Sequence, residues 1–397
     1  IITIIAMNQG KTVFAQLMSM IPEYEFDKCV DRYNGNHRVR HFTCRDHFYV
    51  MSFAQLTQRD SLRDIENCLK AVSSKLYHCG IKHAVPRNTL AKANELRDWR
   101  IYADFARVLI DIARPMYQRD NNFRLDIDNL VYAFDSTTIR LCLKLCPWAT
   151  FRENKGGIKM HTLLDLRCNL PVFVYLSEAS VHDVKILDKL YIEPAAIYVI
   201  DLGYLDFFRM FNLIHKKRAF FVSRAKDNMQ YVVESSNSID NQTGVVSDEL
   251  IRLTGYQSKK HYPEPIRMVT YEDYATSVVY RFITNNTEFD PLTISELYRE
   301  RWQVELFFKW IKQHLRIKSF YGTSQNAVFC QIWIALCMFL ILAIAKKRWK
   351  IDQTLYSFSQ ICGITPFEKV PLNELFSKSS TLVPIDDAPN LFSNSNI

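Results

Sequence analysis

A chain of 397 residues with 48% hydrophobic side chains is too long for one ordinary core and too apolar to be disordered, so two or three globular domains are expected. Fifty basic against 42 acidic residues give a net charge of +8, which modestly favours a polyanionic partner without establishing one. The ten cysteines include no CxxC pair and follow no secretory signal, which argues against a disulfide framework and for reduced thiols in the cytoplasm.

The residues IITIIA precede Met7 and are read as translated upstream sequence or a fragment boundary, and no structure is assigned to them. NQGKT (Asn8 to Thr12) is not a phosphate-binding loop, because that pattern needs a glycine where Ile5 stands. From Lys11 to about Tyr117 the text is helical, with few β-branched runs. HRVRHFTCRDHF gathers Arg38, Arg40, Arg45, His37, His41, His47 and Cys44, but the spacing matches no zinc pattern. A basic patch for a DNA backbone and a plain exposed surface are the readings left. Ser61 caps a helix over SLRDIENCLKAVSSKLY, and Asn88 or Thr89 opens a second one over TLAKANELRDWRIYADFARVLIDIA. The pair resembles a helix-turn-helix with a long linker. Arg87, Asn88, Thr89 and Lys92 stand where such a unit meets base edges or phosphates, and where an ordinary solvated helix start would also carry them.

Strand-like segments follow at Leu125 to Leu145, Ile158 to Leu166 and Leu170 to Leu176, then a short helix at His182 to Tyr191 and a strand AIYVI (Ala196 to Ile200). LVYAF (Leu130 to Phe134) and AIYVI are continuous apolar runs of the kind covered on both sheet faces, and each is followed directly by an aspartate, Asp135 and Asp201. An aspartate after a strand is ordinarily a turn former. In open α/β sheets, however, the chemistry sits beyond the carboxyl ends of neighbouring strands. Gly156 and Gly157 allow a tight turn before Lys159 and His161. AFFVSRA, MQYVVES, IRMVTYE and SVVYRFIT then read as an antiparallel β segment over Ala219 to Thr284.

Leu297 to Leu315, LYRERWQVELFFKWIKQHL, has no Gly or Pro and is expected to form one amphipathic helix. Offsets of 3, 7 and 14 from Tyr298 place Arg301, Glu305 and Lys312 with it in an arc of about 60°. Leu297, Val304, Phe307, Phe308, Ile311 and Leu315 form the opposite face. Ala327 to Ala345 is apolar enough to span a bilayer, with Gln331 as its strongly polar exception. Burial behind the sheet is the favoured reading over a membrane span. Past Lys350, a short helical stretch QTLYSFSQICGI leads into a weakly ordered tail ending in SNSNI, to which no chemistry is assigned.

Three carboxylates without a His or Cys cluster make an all-oxygen site suited to Mg²⁺ or Mn²⁺. Two such ions about 3.5–4 Å apart support an in-line phosphoryl displacement. The residues resemble bacterial insertion-sequence DDE transposases of the group typified by insertion sequence four. The resemblance rests on Asp135 in FDSTT, Asp201 in DLGYLD, and Tyr298, Arg301, Glu305 and Lys312 spaced as Y-x2-R-x3-E-x6-K. It covers about Gln9 to Arg348. It implies an α/β fold: a ribonuclease H-like mixed sheet flanked by helices, with an antiparallel β insertion and an all-α N-terminal domain.

The expected divisions are 7–117 for the helical DNA-binding domain, 118–218 and 291–350 for the two parts of the core, 219–290 for the β insertion and 351–397 for the tail. The resemblance further implies Asp135, Asp201 and Glu305 as catalytic residues holding two Mg²⁺ or Mn²⁺ ions. Tyr298, Arg301, Trp302, Lys312 and Lys159 are implied as DNA contacts, with His161 near the site. Arg87, Asn88 and Thr89 are carried as DNA contacts of the N-terminal domain. The activity implied is metal-dependent cut-and-paste transposition at terminal inverted repeats, by a cytoplasmic, nucleoid-associated protein that is a homodimer on double-stranded DNA and has no membrane partner. A derivative that binds DNA without cutting it is the alternative. Relatives that cleave through a DNA hairpin use an aromatic of the insertion, often Trp. No Trp lies between Asp206 and Leu297 here, and Tyr231, Tyr256, Tyr271, Tyr274 and Phe289 are the aromatics available.

Overall fold

The computed structural model describes residues 10–377 apart from 119–122, 153–154, 241–242, 316 and 318. The expectations for IITIIA and for the SNSNI end lie outside the described residues. Chain contacts divide the protein into two compact units. One combines the chain up to Arg119 with 139–157 and everything from Phe308 on, and the other comprises Asp120–Thr138 and Ile158–Phe307. This division differs from the five expected segments chiefly in grouping the long apolar helix with the N-terminal helices.

The first unit is built from α1 (Val13–Met18), α2 (Glu23–Arg32), α3 (Cys44–Leu56), α4 (Leu62–Ala71), α5 (Arg87–Leu96) and α6 (Arg100–Gln118). Ser61 does cap α4, accepting the Asp64 N–H at 3.1 Å, but α4 stops at Ala71 and Ser73–Cys79 tightens into a 3-10 turn. The second expected helix is likewise two. Arg97 adopts extended backbone between α5 and α6, and the freed carbonyls of Asn94 and Arg97 accept from the Asn326 side chain at 2.8 and 2.6 Å. A helix end buried without such a partner would leave carbonyls unsatisfied.

Asn326 belongs to the long apolar helix, which runs over Gln325–Arg348 and is capped by Ser324. Every residue from Ala327 to Ala345 is buried, with α1, α3, α5 and α6 packed around the helix. Its polar exception is also satisfied: the Gln331 amide accepts from Tyr321 N–H and donates to the Ser319 carbonyl, both at 2.9 Å. The segment long enough to span a bilayer is thus buried, as the core of a helical unit whose other helices enclose it.

The basic and histidine-rich stretch separates by environment. His37, Arg38, Arg40 and His41 are exposed, whereas Cys44 and His47 are in the core. Among the described residues, no group of three His, Cys, Asp or Glu side chains is arranged to hold a metal ion. The buried His47 ring contacts the Tyr102 hydroxyl and Asn94 Oδ1, each at 2.7 Å. Because an amide oxygen only accepts, Nε2 carries the proton and Nδ1 accepts from Tyr102.

In the second unit the sheet order is β4-β3-β1-β5-β6-β10-β9-β8-β7, while β2 (Thr150–Arg152) is a short strand within the 139–157 stretch of the first unit. The strands are β1 (Val131–Leu141), β3 (Lys155–Asp165), β4 (Leu170–Glu178), β5 (Ile197–Ile200), β6 (Phe220–Arg224), β7 (Tyr231–Ser236), β8 (Val245–Leu253), β9 (Ile266–Asp273) and β10 (Val278–Thr284). β3 and β4 are antiparallel, while β1, β5 and β6 run parallel to one another. This is the ribonuclease H-like order, and the sheet is mixed as expected. β6, grouped with the insertion by its sequence pattern, instead closes the core beside β5. The antiparallel strands β7 to β10 extend the same sheet outward from β6. Tyr132, Phe134, Tyr198, Ile200 and Phe221 form the buried centre.

Burial holds the His47 imidazole down at about 4 against an ordinary value of 6.5. The unfolded chain gains a proton near pH 6.5 that the folded one refuses until about pH 4. Stability from this site is therefore full above pH 6.5 and is lost as the pH falls through that window. Urea unfolding at stepped pH is expected to show the wild type losing about 3 kcal/mol more than a His47→Gln variant across it. Parallel pH profiles for the two proteins would contradict the assignment.

Candidate active site

The site begins with strand register. β1 and β5 pair in parallel with Phe134 opposite Ile200, so Asp135 and Asp201 are the next residues on adjacent strands, roughly 4.8 Å apart in the pairing direction. Val131–Phe134 and Ile197–Ile200 are fully buried, which fixes the strand ends from which the two carboxylates project. Asp135 Oδ1 accepts the N–H of Ser136 at 2.7 Å, and Asp201 caps the turn Leu202–Tyr204 through the Gly203 N–H. Tyr204 is buried against the Phe134 ring beneath them, at 4.8 Å.

The other residues come from two helices where one was expected. α7 spans Pro291–Glu300 and α8 spans Trp302–His314. Arg301 is the joint. Its N–H bonds back to the Tyr298 carbonyl and its own carbonyl accepts from Val304, three residues apart in each case, which tightens the turn. The apolar face is as expected, with Leu297, Val304, Phe307, Phe308, Ile311 and Leu315 all buried. α7 packs on β5, β6 and β8 to β10, holding the Tyr298 ring 5.0 Å from Phe282 and its hydroxyl 3.4 Å from Asp201 Oδ1. Glu305 lies in the first turn of α8, where the helix dipole favours a negative charge.

Arg301 joins the set. One guanidinium nitrogen donates to Asp135 Oδ2 at 3.0 Å and another to Glu305 Oε1 at 2.8 Å. Its side chain is 13% exposed, and Nε has no partner. A carboxylate from a strand end and one from a helix are thus held by a single positive group. Desolvation raises the Asp135 pKa to about 6; the Ser136 N–H and Arg301 oppose the rise, and the charges of Asp201 and Glu305 add to it. Burial likewise pushes the Tyr298 phenol up to about 12. One guanidinium against three carboxylates leaves excess negative charge on hard oxygen donors. All-oxygen donors of this kind suit a divalent cation, although Asp135, Asp201 and Glu305 are not gathered in this structure into a group that could hold one. In the geometry seen, Arg301 rather than mutual convergence ties the carboxylates together.

The remaining predicted residues are distributed as follows. Lys159, on β3, is only 17% exposed and donates to Asp183 Oδ2 and the Val181 carbonyl, both at 3.0 Å. His161 is buried, with Nε2 2.9 Å from Ser177 Oγ, and burial lowers its pKa to about 4. Trp302 is 56% exposed at the start of α8, and Lys312 follows on the same helix, half-buried. Arg87, Asn88 and Thr89 form the exposed first turn of α5 in the other unit. Of the insertion aromatics, Tyr256 and Tyr274 are the most exposed, at 84% and 67%. Sequence reasoning passed over Asp183 and Ser136. Asp183 sat unremarked in HDVK as an ordinary acidic helix start, and only the fold reveals what it faces.

Comparison with known proteins identifies the family of the chain. The family described as "Transposase DDE domain" matches residues 127–341, and a domain of unknown function matches 9–82. A Sinorhizobium fredii protein named as transposase y4zB is 32% identical over 70% of this chain and 77% of its own. The Geobacillus stearothermophilus protein named as the transposase for insertion sequence element IS5377 is 25% identical over 88% and 87%. Among solved structures, the piggyBac transposase synaptic complex with hairpin DNA aligns with 95% of this chain and 86% of that one, at 11% identity and a TM-score of 0.47. With the DDE family matched over more than half of its length and insertion-sequence relatives covering most of it, the chain belongs to the DDE transposases of bacterial insertion sequences.

Proposed function

We propose that this transposase moves its insertion sequence by a cut-and-paste route, cleaving phosphodiesters at terminal inverted repeats and joining the freed 3′ ends to target DNA. The observation that carries this reading is that one guanidinium bonds both Asp135 and Glu305 while strand register sets Asp201 beside Asp135, beyond the ends of parallel strands β1 and β5. Two divalent ions held by those carboxylates would supply an activated attacking oxygen and a stabilised leaving oxygen. The attacking groups are water and then a DNA 3′ hydroxyl.

Arg301 has a role in each state. Without DNA it neutralises Asp135 and Glu305; with DNA its guanidinium is the group to clamp a backbone phosphate. Tyr298 positions the same backbone from α7, and Lys312 and Trp302 meet it along α8. The exposed Arg87, Asn88 and Thr89 at the start of α5 suit reading of the terminal repeat by the helical unit. The spacing Y-x2-R-x3-E-x6-K supports membership of the group typified by insertion sequence four. Two copies acting on double-stranded DNA, in the cytoplasm at the nucleoid and without a membrane, complete the proposal.

Asp135→Ala, Asp201→Ala and Glu305→Ala proteins are each expected to lose cleavage of repeat-end DNA in Mg²⁺ while still retarding that DNA in a gel. Cleavage surviving in any of the three would remove that residue from the assignment. In metal-free buffer, Arg301→Ala is expected to lower unfolding free energy by about 1–3 kcal/mol, because two half-buried carboxylates lose their counter-charge. Adding Asp135→Asn to Arg301→Ala should recover part of that loss in urea titrations. A double variant no more stable than the single one would show that the guanidinium does not serve as the counter-charge.

A further inference from the structure

Asp183 lies outside every role assigned so far, yet three elements meet at its carboxylate. It opens a 3-10 turn (Asp183–Lys189) that follows β4. Its Oδ1 accepts the Ser136 hydroxyl of β1 at 3.0 Å, and its Oδ2 accepts the Lys159 ammonium of β3 at 3.0 Å. Lys159 is anchored in turn on the Val181 carbonyl, two residues before Asp183. Ser136 directly follows Asp135, and its N–H is the 2.7 Å donor to Asp135 Oδ1. β1 is continuously buried from Val131 to Phe134, and Asp135 to Thr138 are partly exposed.

Arg301 is the other donor to Asp135, through Oδ2. Whenever that guanidinium turns to a phosphate, the Ser136 N–H is left to orient the carboxylate. The position of that N–H is set by the hydroxyl of the same residue, tied to Asp183. We infer that Asp183, held by Lys159, is a positioning residue for Asp135, acting through Ser136 to aim its carboxylate at the divalent ion. The inference rests on the reading of Asp135 as a metal ligand. It gives Lys159 the task of fixing Asp183 instead of contacting DNA. Hydrogen-bond partners one layer behind a metal ligand commonly set its orientation and so the affinity of the site.

The test uses the full chain and MnCl₂ alone, with bound Mn²⁺ measured from the loss of the free-ion electron paramagnetic resonance signal. Ser136→Ala removes one oxygen and leaves the ion pair intact, so it remains informative even if Asp183→Ala folds poorly. Each is expected to weaken Mn²⁺ binding by about tenfold, and the double variant to be no weaker than Asp183→Ala alone. Lys159→Ala should weaken Mn²⁺ binding and Lys159→Arg restore it, with affinity for repeat-end DNA in chelator unchanged. Variants that melt earlier yet bind Mn²⁺ as the wild type does would reduce the cluster to a structural one and overturn the inference. So would a Lys159→Ala protein that loses DNA affinity but keeps Mn²⁺ affinity. Asp135→Ala is the reference: if it too leaves Mn²⁺ binding unchanged, the metal-site reading falls along with this one, whereas loss there alone overturns only the positioning role.

Discussion

Two aspartates placed side by side at the ends of parallel strands repel each other, and the architecture of the second unit supplies what makes them tolerable. The register that sets Phe134 against Ile200 leaves no freedom over where Asp135 and Asp201 emerge. Sliding either strand by one residue would draw its aspartate into the buried centre or push an apolar residue out of it, so the hydrophobic core enforces the juxtaposition of charges. Arg301 then answers the charge, reaching Asp135 and Glu305 together from the joint between α7 and α8. A fold does not bring three carboxylates to a half-buried point for stability alone, since each loses hydration there. The raised pKa of Asp135 is the visible sign of that cost.

The supporting structure is arranged to keep this point fixed. α7 lies across β5, β6 and β8 to β10, so the antiparallel extension of the sheet also braces the helix that carries Tyr298. Lys159, Asp183 and Ser136 brace β1 from the opposite flank of the core, where β3 and the turn after β4 come together. In the helical unit, the apolar segment Ala327 to Ala345 is enclosed by its neighbours, and Asn326 and Gln331 bond the chain breaks around it.

Much of this was legible in the sequence because strand burial and helix periodicity are local signals. The apolar runs before Asp135 and Asp201 announced buried strands, and Leu297, Val304, Phe307, Phe308, Ile311 and Leu315 are all buried. The break at Arg301 was not legible. No Gly or Pro marks it, and it arises from backbone bonding three residues apart at a residue whose side chain is drawn to two carboxylates. The break between α5 and α6 escaped for a similar reason, since its carbonyls are satisfied by Asn326, more than two hundred residues away. β6 looked like the other insertion strands because a short apolar run does not say which neighbour it will pair with, or in which direction. Lys159 was read as a DNA contact on residue type, and its pairing with Asp183 depends on the proximity of β3 to a turn that spacing alone cannot reveal.

The central claim is that Asp135, Asp201 and Glu305 form one cation site whose place Arg301 holds in the free protein. Anomalous diffraction from crystals of the full chain soaked in MnCl₂ tests it most directly. The account predicts manganese peaks within coordination distance of all three carboxylates, with the Arg301 guanidinium moved off Asp135 or Glu305. Manganese bound elsewhere, with Arg301 still bridging the two carboxylates, would contradict it.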